Sequence, residues 1–156
     1  MELYIKQRVF AWGDKYDVYD AQGNPKYTVE SELFAFGHQI HVYDARTGRE
    51  IGAVHQRLLA FLHTFDIVIQ GQTMGTVQRE FSFFIPRYTV DFRGWDVEGD
   101  FFGWDYRVTR GTRTVMTIEK EFLSWGDTYC LSFASPEDEI PGLLLVIAID
   151  AANCEH

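Results

Sequence analysis

The chain has 156 residues, of which 46% are hydrophobic and 16% aromatic, and a formal net charge of −9. That length suits one domain with a sizeable core, and that apolar content excludes an intrinsically disordered chain. The acidic balance repels nucleic acid and anionic surfaces, so no nucleic-acid partner is expected.

From the N-terminus onward, short runs alternate with period two between turn signals. Tyr16 and Val18 fall on one face and Asp17 and Tyr19 on the other, while Phe65, Ile67 and Ile69 alternate with Asp66 and Val68. Thirteen Phe, eight Tyr and four Trp suit such pleated, half-buried surfaces. Gly-containing turns at 12–14, 22–25, 36–37, 47–48, 70–71, 93–94, 98–100, 110–111 and 125–127 separate the runs. The pattern predicts twelve strands near 3–10, 15–20, 25–32, 38–44, 49–57, 64–70, 73–81, 87–92, 95–99, 104–109, 114–122 and 127–133. Short connections imply antiparallel neighbours, and six consecutive pairs favour a closed barrel, because closure removes exposed edges.

The strands carry an internal repeat. Phe10-Ala-Trp-Gly-Asp-Lys-Tyr-Asp-Val-Tyr-Asp20 returns as Phe34-Ala-Phe-Gly-His-Gln-Ile-His-Val-Tyr-Asp44, loosely as Leu59 to Ile69, and again as Leu123 to Leu131. A period of about two dozen residues marks one supersecondary unit copied around a common core.

The chain's end departs from this pattern. Ser135, Pro136 and a run of acids resemble a helix start, which Pro141 and Gly142 interrupt. Leu143, Leu144, Leu145, Val146, Ile147 and Ile149 then form a run too short to span a membrane. Strand and helix are both open to it locally. Being apolar on every side, it must be surrounded by protein, and a wide barrel needs filling.

Chemical motifs are weak. Trp12-Gly-Asp14 and Trp125-Gly-Asp127 read as repeated turns, with Gly supplying positive φ and Asp bonding its own backbone. Asp96, Glu98, Asp100 and Asp105 form the densest acidic stretch outside the tail and are the calcium candidates. They fail the EF-hand pattern, with Phe101 and Arg107 where Gly and Glu belong, so a solvated rim is the plainer reading. His38 and His41 share a predicted strand at a spacing that puts them on opposite faces. His55 and His63 flank a bend. Cys130 and Cys154 form no CxxC pair, which argues against zinc-ribbon or thioredoxin chemistry, and no disulfide between them is expected. No nucleophile elbow, phosphate loop or HExxH is present, so no catalytic residue and no cofactor are assigned. Lys6, Arg8, Arg57, Arg79, Arg87, Arg107, Arg110 and Arg113 are spread along the chain. Only the tertiary fold decides whether they meet.

The chain resembles the LURP-one-related family, within the Tubby C-terminal-like fold shared with phospholipid scramblases. The resemblance rests on Phe10 to Asp14, Tyr43-Asp44, Gln56-Arg-Leu-Leu59, Glu80-Phe-Ser-Phe-Phe-Ile-Pro86 and Trp95-Asp-Val-Glu-Gly-Asp-Phe101. It continues through Ile118 to Tyr129 and ends on the apolar run closing at Ile149-Asp150. It implies a single domain over residues 1–156, a twelve-stranded antiparallel barrel over about 3–133 wrapped around a hydrophobic C-terminal helix at about 136–151. Tubby-like relatives bind phosphoinositides and scramblase-like relatives act on membranes, but no matching basic cluster or lipid-attachment motif is evident here. The resulting expectation is a non-catalytic binding or scaffold domain with a protein partner, or alternatively a peripheral binder of phospholipid headgroups. A small enzyme with an unrecognised site around Asp96, Glu98 and His residues ranks third. The N-terminus lacks a signal-peptide layout, so a cytoplasmic location is expected. The ligand and oligomeric state stay open at this level.

Overall fold

The computed structural model describes residues 1–6, 15–34, 37–57, 63–80, 87–100, 105–123 and 126–154. Within them lie β1 (Glu2–Ile5), β2 (Lys15–Tyr19), β3 (Pro25–Phe34), β4 (Gly37–Asp44), β5 (Glu50–Gln56) and β6 (Thr64–Ile69). They continue as β7 (Gln72–Glu80), β8 (Arg87–Phe92), β9 (Asp96–Asp100), β10 (Asp105–Arg110), β11 (Arg113–Leu123) and β12 (Gly126–Phe133). A 3-10 turn over Pro136–Asp138 leads into α1 (Glu139–Cys154). All twelve strands sit in one antiparallel sheet, ordered β8-β7-β6-β5-β4-β3-β2-β1-β12-β11-β10-β9. The sheet curls into a nearly closed barrel around α1, as the resemblance implied.

The boundaries follow the sequence pattern with one correction: the Gly-containing turn expected at 98–100 is part of β9. The first strand is described over Glu2–Ile5, with Lys6 in a bend. Residues 7–14, which hold Arg8 and the Trp12-Gly-Asp14 turn, lie outside the described residues, as do the 81–86 run, Phe101 and Trp125. The four repeat copies lead into β2, β4, β6 and β12, so the repeated unit is an even-numbered strand with the link that precedes it.

Each repeat's closing Asp has the same task in the first two copies. Asp20 Oδ1 accepts the backbone N–H of Gln22 and of Asn24, both at 2.9 Å. Asp44 Oδ1 accepts those of Arg46 and Thr47 at 2.9 and 3.0 Å. A short carboxylate that satisfies turn amides specifies the turn. Two-residue turns join other pairs. Gln70-Gly71 and Arg93-Gly94 both have positive φ at each position, the mirror-image turn that matches strand twist.

The two ends of the sheet order, β8 and β9, are consecutive in the chain. Trp95 N–H donates to Phe92 O at 3.0 Å and closes their turn, but no ladder joins the two strands among the described residues. Continuing that hairpin would set Asp91 directly opposite Asp96, and facing like charges destabilise a ladder.

Inward side chains from every layer meet the helix. Leu3, Val18, Val29, Val42, Val54, Phe65, Ile67, Val77, Val108, Ile118 and Leu131 are all fully buried. So are Leu143 to Val146, and Ile147 and Ile149 are 1% exposed. Pro141 and Gly142 do not interrupt α1. Pro lies in the first turn, where its missing N–H would have had no helical partner. Gly142 admits a close approach: a Cβ there would lie 2.4 Å from Phe133 Cε1 and 2.9 Å from Met116 Sδ. Polar ties fix both ends of the helix. Glu139 accepts from Lys26 Nζ at 2.8 Å and from the Tyr27 hydroxyl at 2.5 Å, and the Tyr88 hydroxyl donates to Asn153 Oδ1.

Ile147→Asp puts an unpaired charge in this lumen and is expected to abolish folding, since such a charge costs several kcal/mol. A cooperative melt near the parent temperature would contradict a buried helix. Gly142→Ala overpacks Phe133 and should lower stability by about 1–3 kcal/mol, read by urea denaturation.

Candidate functional site

The connections leaving even-numbered strands all emerge at one mouth of an antiparallel barrel. Here they include the β8–β9 turn, the β10–β11 turn and the passage from β12 into the helix. Arg93 belongs to the first turn. Arg110 and Arg113 pair across the second, where Gly111 has a φ of 62°. Glu137 and Asp138 lie in the 3-10 turn.

These residues line one cavity of about 310 Å³, with Trp95 and Val115 as its apolar wall. Trp95 is only 3% exposed and meets Phe92 edge-on, with ring centroids 5.5 Å apart. Its ring also carries the Arg93 guanidinium at 5.2 Å, a cation–π contact that orients the arginine. The Ala134 N–H donates to Val115 O at 3.0 Å, which ties the helix entry to β11 beside the cavity. Among the described residues, Arg110 and Arg113 form no side-chain hydrogen bond or ion pair. Asp138 is 8% exposed, and its carboxylate has no hydrogen bond or ion pair among the described residues.

Several other basic residues are held elsewhere. Arg57 pairs with Asp66 at 2.6 Å, Arg107 with Glu98, and Lys15 with Glu30 at 3.3 Å. Lys6 lies 4.1 Å over the Tyr19 ring. Arg93 was not among the basic residues singled out from the sequence. Its signal was the shared Arg-Gly turn of 93–94 and 110–111.

The calcium candidates lie on β9 and β10. Asp96, Glu98 and Asp100 share the outer face, and Asp105 stands opposite Asp100. Arg107 occupies the middle of that face and pairs with Glu98. Among the described residues no group of three or more His, Cys, Asp or Glu side chains could hold a metal ion. A broad, open concavity of about 520 Å³ runs past Glu98, Asp105 and Glu119, and no histidine lines it.

His38 and His41 fall on opposite faces of β4, His38 sharing the inward parity of Ile40 and Val42. His41 meets Glu50 at 2.5 Å through Nδ1, and its ring stands 5.9 Å from that of His55. Cys130 is a free, buried thiol, pushed up to about 11 chiefly by burial.

Burial, and secondarily the neighbouring His41, holds the His55 imidazole below its ordinary value. Its Nε2 is buried with no hydrogen-bond partner among the described residues. The unfolded chain therefore protonates His55 at a higher pH than the folded one. Its stability contribution is present above about pH 6.5 and is lost as the pH falls through that value. The melting temperature should drop between about pH 7 and 5, and His55→Gln should flatten the drop. An identical profile for that variant would remove His55 as the cause.

A family model described as LURP-one-related matches residues 1–150. The chain is 29% identical over 150 residues to the uncharacterized protein YxjI of Bacillus subtilis (strain 168), covering 96% of this chain and 92% of that one. It also resembles an X-ray structure of a protein from Arabidopsis thaliana, with a TM-score of 0.63 at 15% identity over 97% of this chain and 90% of the other. At that identity the likeness speaks for the fold alone. With the family model spanning nearly its whole length, the chain belongs to the LURP-one-related family.

Proposed function

We propose that this protein is a non-catalytic binding domain whose ligand carries an anionic group held at the turn mouth by Arg93, Arg110 and Arg113. The observation that supports the reading is that three arginines line one cavity in a chain of net charge −9. Arg110 and Arg113 make no ion pair among the described residues, so their charges are available to a ligand. Arginine's planar fork matches phosphate and carboxylate oxygens, and each charge-assisted bond is worth about 1.5–3 kcal/mol. The lumen is filled by α1, which leaves the mouths and the outer surface for binding.

A second reading has the anion presented as a phospholipid headgroup. The placement of all three arginines at or beside turn tips favours it, since the rim of a barrel can meet a flat surface edge-on. Among the described residues no helix is long and apolar enough to cross a membrane, so this reading concerns peripheral contact. A cytoplasmic location belongs to the same proposal.

Inorganic phosphate is the simplest probe. It should raise the melting temperature in a concentration-dependent manner by binding the native state. Arg113→Ala should weaken that response roughly ten- to a hundredfold, the equivalent of one lost charged hydrogen bond. Calorimetry showing unchanged phosphate affinity in Arg110→Ala and Arg113→Ala would refute the site. For the lipid form, flotation with anionic vesicles at low salt should be lost in the same variants.

A further inference from the structure

We infer that the turn-mouth pocket selects a zwitterion: an acidic group bound by Arg93, Arg110 and Arg113, joined by a short linker to an ammonium bound by Asp138 and Glu137. The inference rests on the reading of this cavity as an anion site and adds the second half of the ligand.

Asp138 carries it. The residue is 8% exposed, it lines the same cavity as the three arginines, and its carboxylate has no side-chain hydrogen bond or ion pair among the described residues. Only its backbone is engaged, the N–H donating to Ser135 O at 3.1 Å. Its oxygens are not among the described side-chain polar atoms that are both buried and without a hydrogen-bond partner, so the carboxylate reaches the cavity rather than packed protein. A carboxylate held open in a pocket therefore presents an acceptor to whatever enters. Glu137 adds a second, exposed carboxylate at the cavity lining.

Charge and size narrow the class. Three guanidinium groups against two carboxylates leave a single positive charge in the pocket. A compact polyanion would gain from the arginines but meet both acids. A phosphate linked to an ammonium satisfies each sign at once. The cavity of about 310 Å³ stands at the small end of ligand sites, which run from ~300 Å³ upward. It fits a headgroup-sized molecule rather than a polyphosphorylated ring. Phosphoethanolamine has this chemistry, either as a soluble phosphomonoester or as the headgroup of a lipid.

The test is calorimetric titration of the full chain with phosphoethanolamine, inorganic phosphate and ethanolamine at one pH and ionic strength. Phosphoethanolamine should bind about tenfold or more tightly than phosphate, and ethanolamine more weakly than either. Asp138→Asn should bring phosphoethanolamine and phosphate to within about twofold while phosphate binding persists. Should that variant not fold, Glu137→Gln, at an exposed position, should narrow the same preference. Equal affinities in the parent, or a preference untouched by both variants, overturns the zwitterion inference while the anion site stands. No binding of phosphate or phosphoethanolamine overturns both. Cosedimentation with phosphatidylethanolamine-containing vesicles, against phosphatidylcholine alone, then distinguishes the sources: selective capture assigns the lipid headgroup, and its absence alongside soluble binding assigns the free compound.

Discussion

A helix with no polar face cannot stand in water, and a wide sheet curled on itself cannot leave its lumen empty. The two requirements satisfy each other in this protein. Leu143 to Ala152 run through the barrel with every side chain except that of the polar Asp150 apolar, and all are buried. The sheet offers Val, Ile, Leu and Phe from strand after strand to receive them. Neither part is stable alone: the helix lacks partners of its own, and the sheet would expose one whole apolar face. Close fit follows from this mutual burial. A Cβ on Gly52 would lie 2.6 Å from Leu144 Cδ1, and one on Gly142 would strike Phe133, so glycines mark where the helix and wall meet most tightly.

Filling the lumen with the protein's own chain has a functional consequence. The helix occupies the space in which a lipocalin-like barrel would hold a ligand, so the proposed binding uses a mouth. The turn mouth is the one at which short, well-specified turns bring arginines together. Trp95 joins core and site there, its edge against Phe92 and its face under Arg93. The same mouth receives the start of the helix, which is why Asp138 lies within reach of a cavity otherwise lined from turns. Elsewhere cations pair locally with acids, as in Arg57–Asp66 and Arg107–Glu98.

Much of the fold is legible in the chain because strands announce themselves locally. Period-two alternation, aromatic enrichment and glycine turns located the strands closely wherever the described residues cover them. The apolar run after Pro141 was ambiguous for a physical reason: a segment buried on all sides carries no amphipathic period to separate helix from strand. Pro141-Gly142 read as a break because these residues disfavour helix interiors. Their actual positions, in the first turn and against Phe133, depend on a boundary and a neighbour that local sequence does not carry. The acids at 96–105 were correctly grouped by adjacency, yet Arg107, nine residues from Glu98, sits among them only through the β9–β10 register.

The residues alone determined the strand count, the antiparallel order and the presence of one self-sufficient apolar segment, because hydrophobic period and turn chemistry act over a few residues. Tertiary structure decided which charges meet. Arg93, Arg110, Arg113 and Asp138 span more than forty positions in the chain and share a cavity because connections of equal parity open at one mouth. Tertiary structure also decided which of those charges stay available, since an ion pair forms or fails over a few ångströms of side-chain reach. Arg107 finds Glu98 across a ladder, whereas Arg113 faces Arg110 across a turn and forms no ion pair among the described residues.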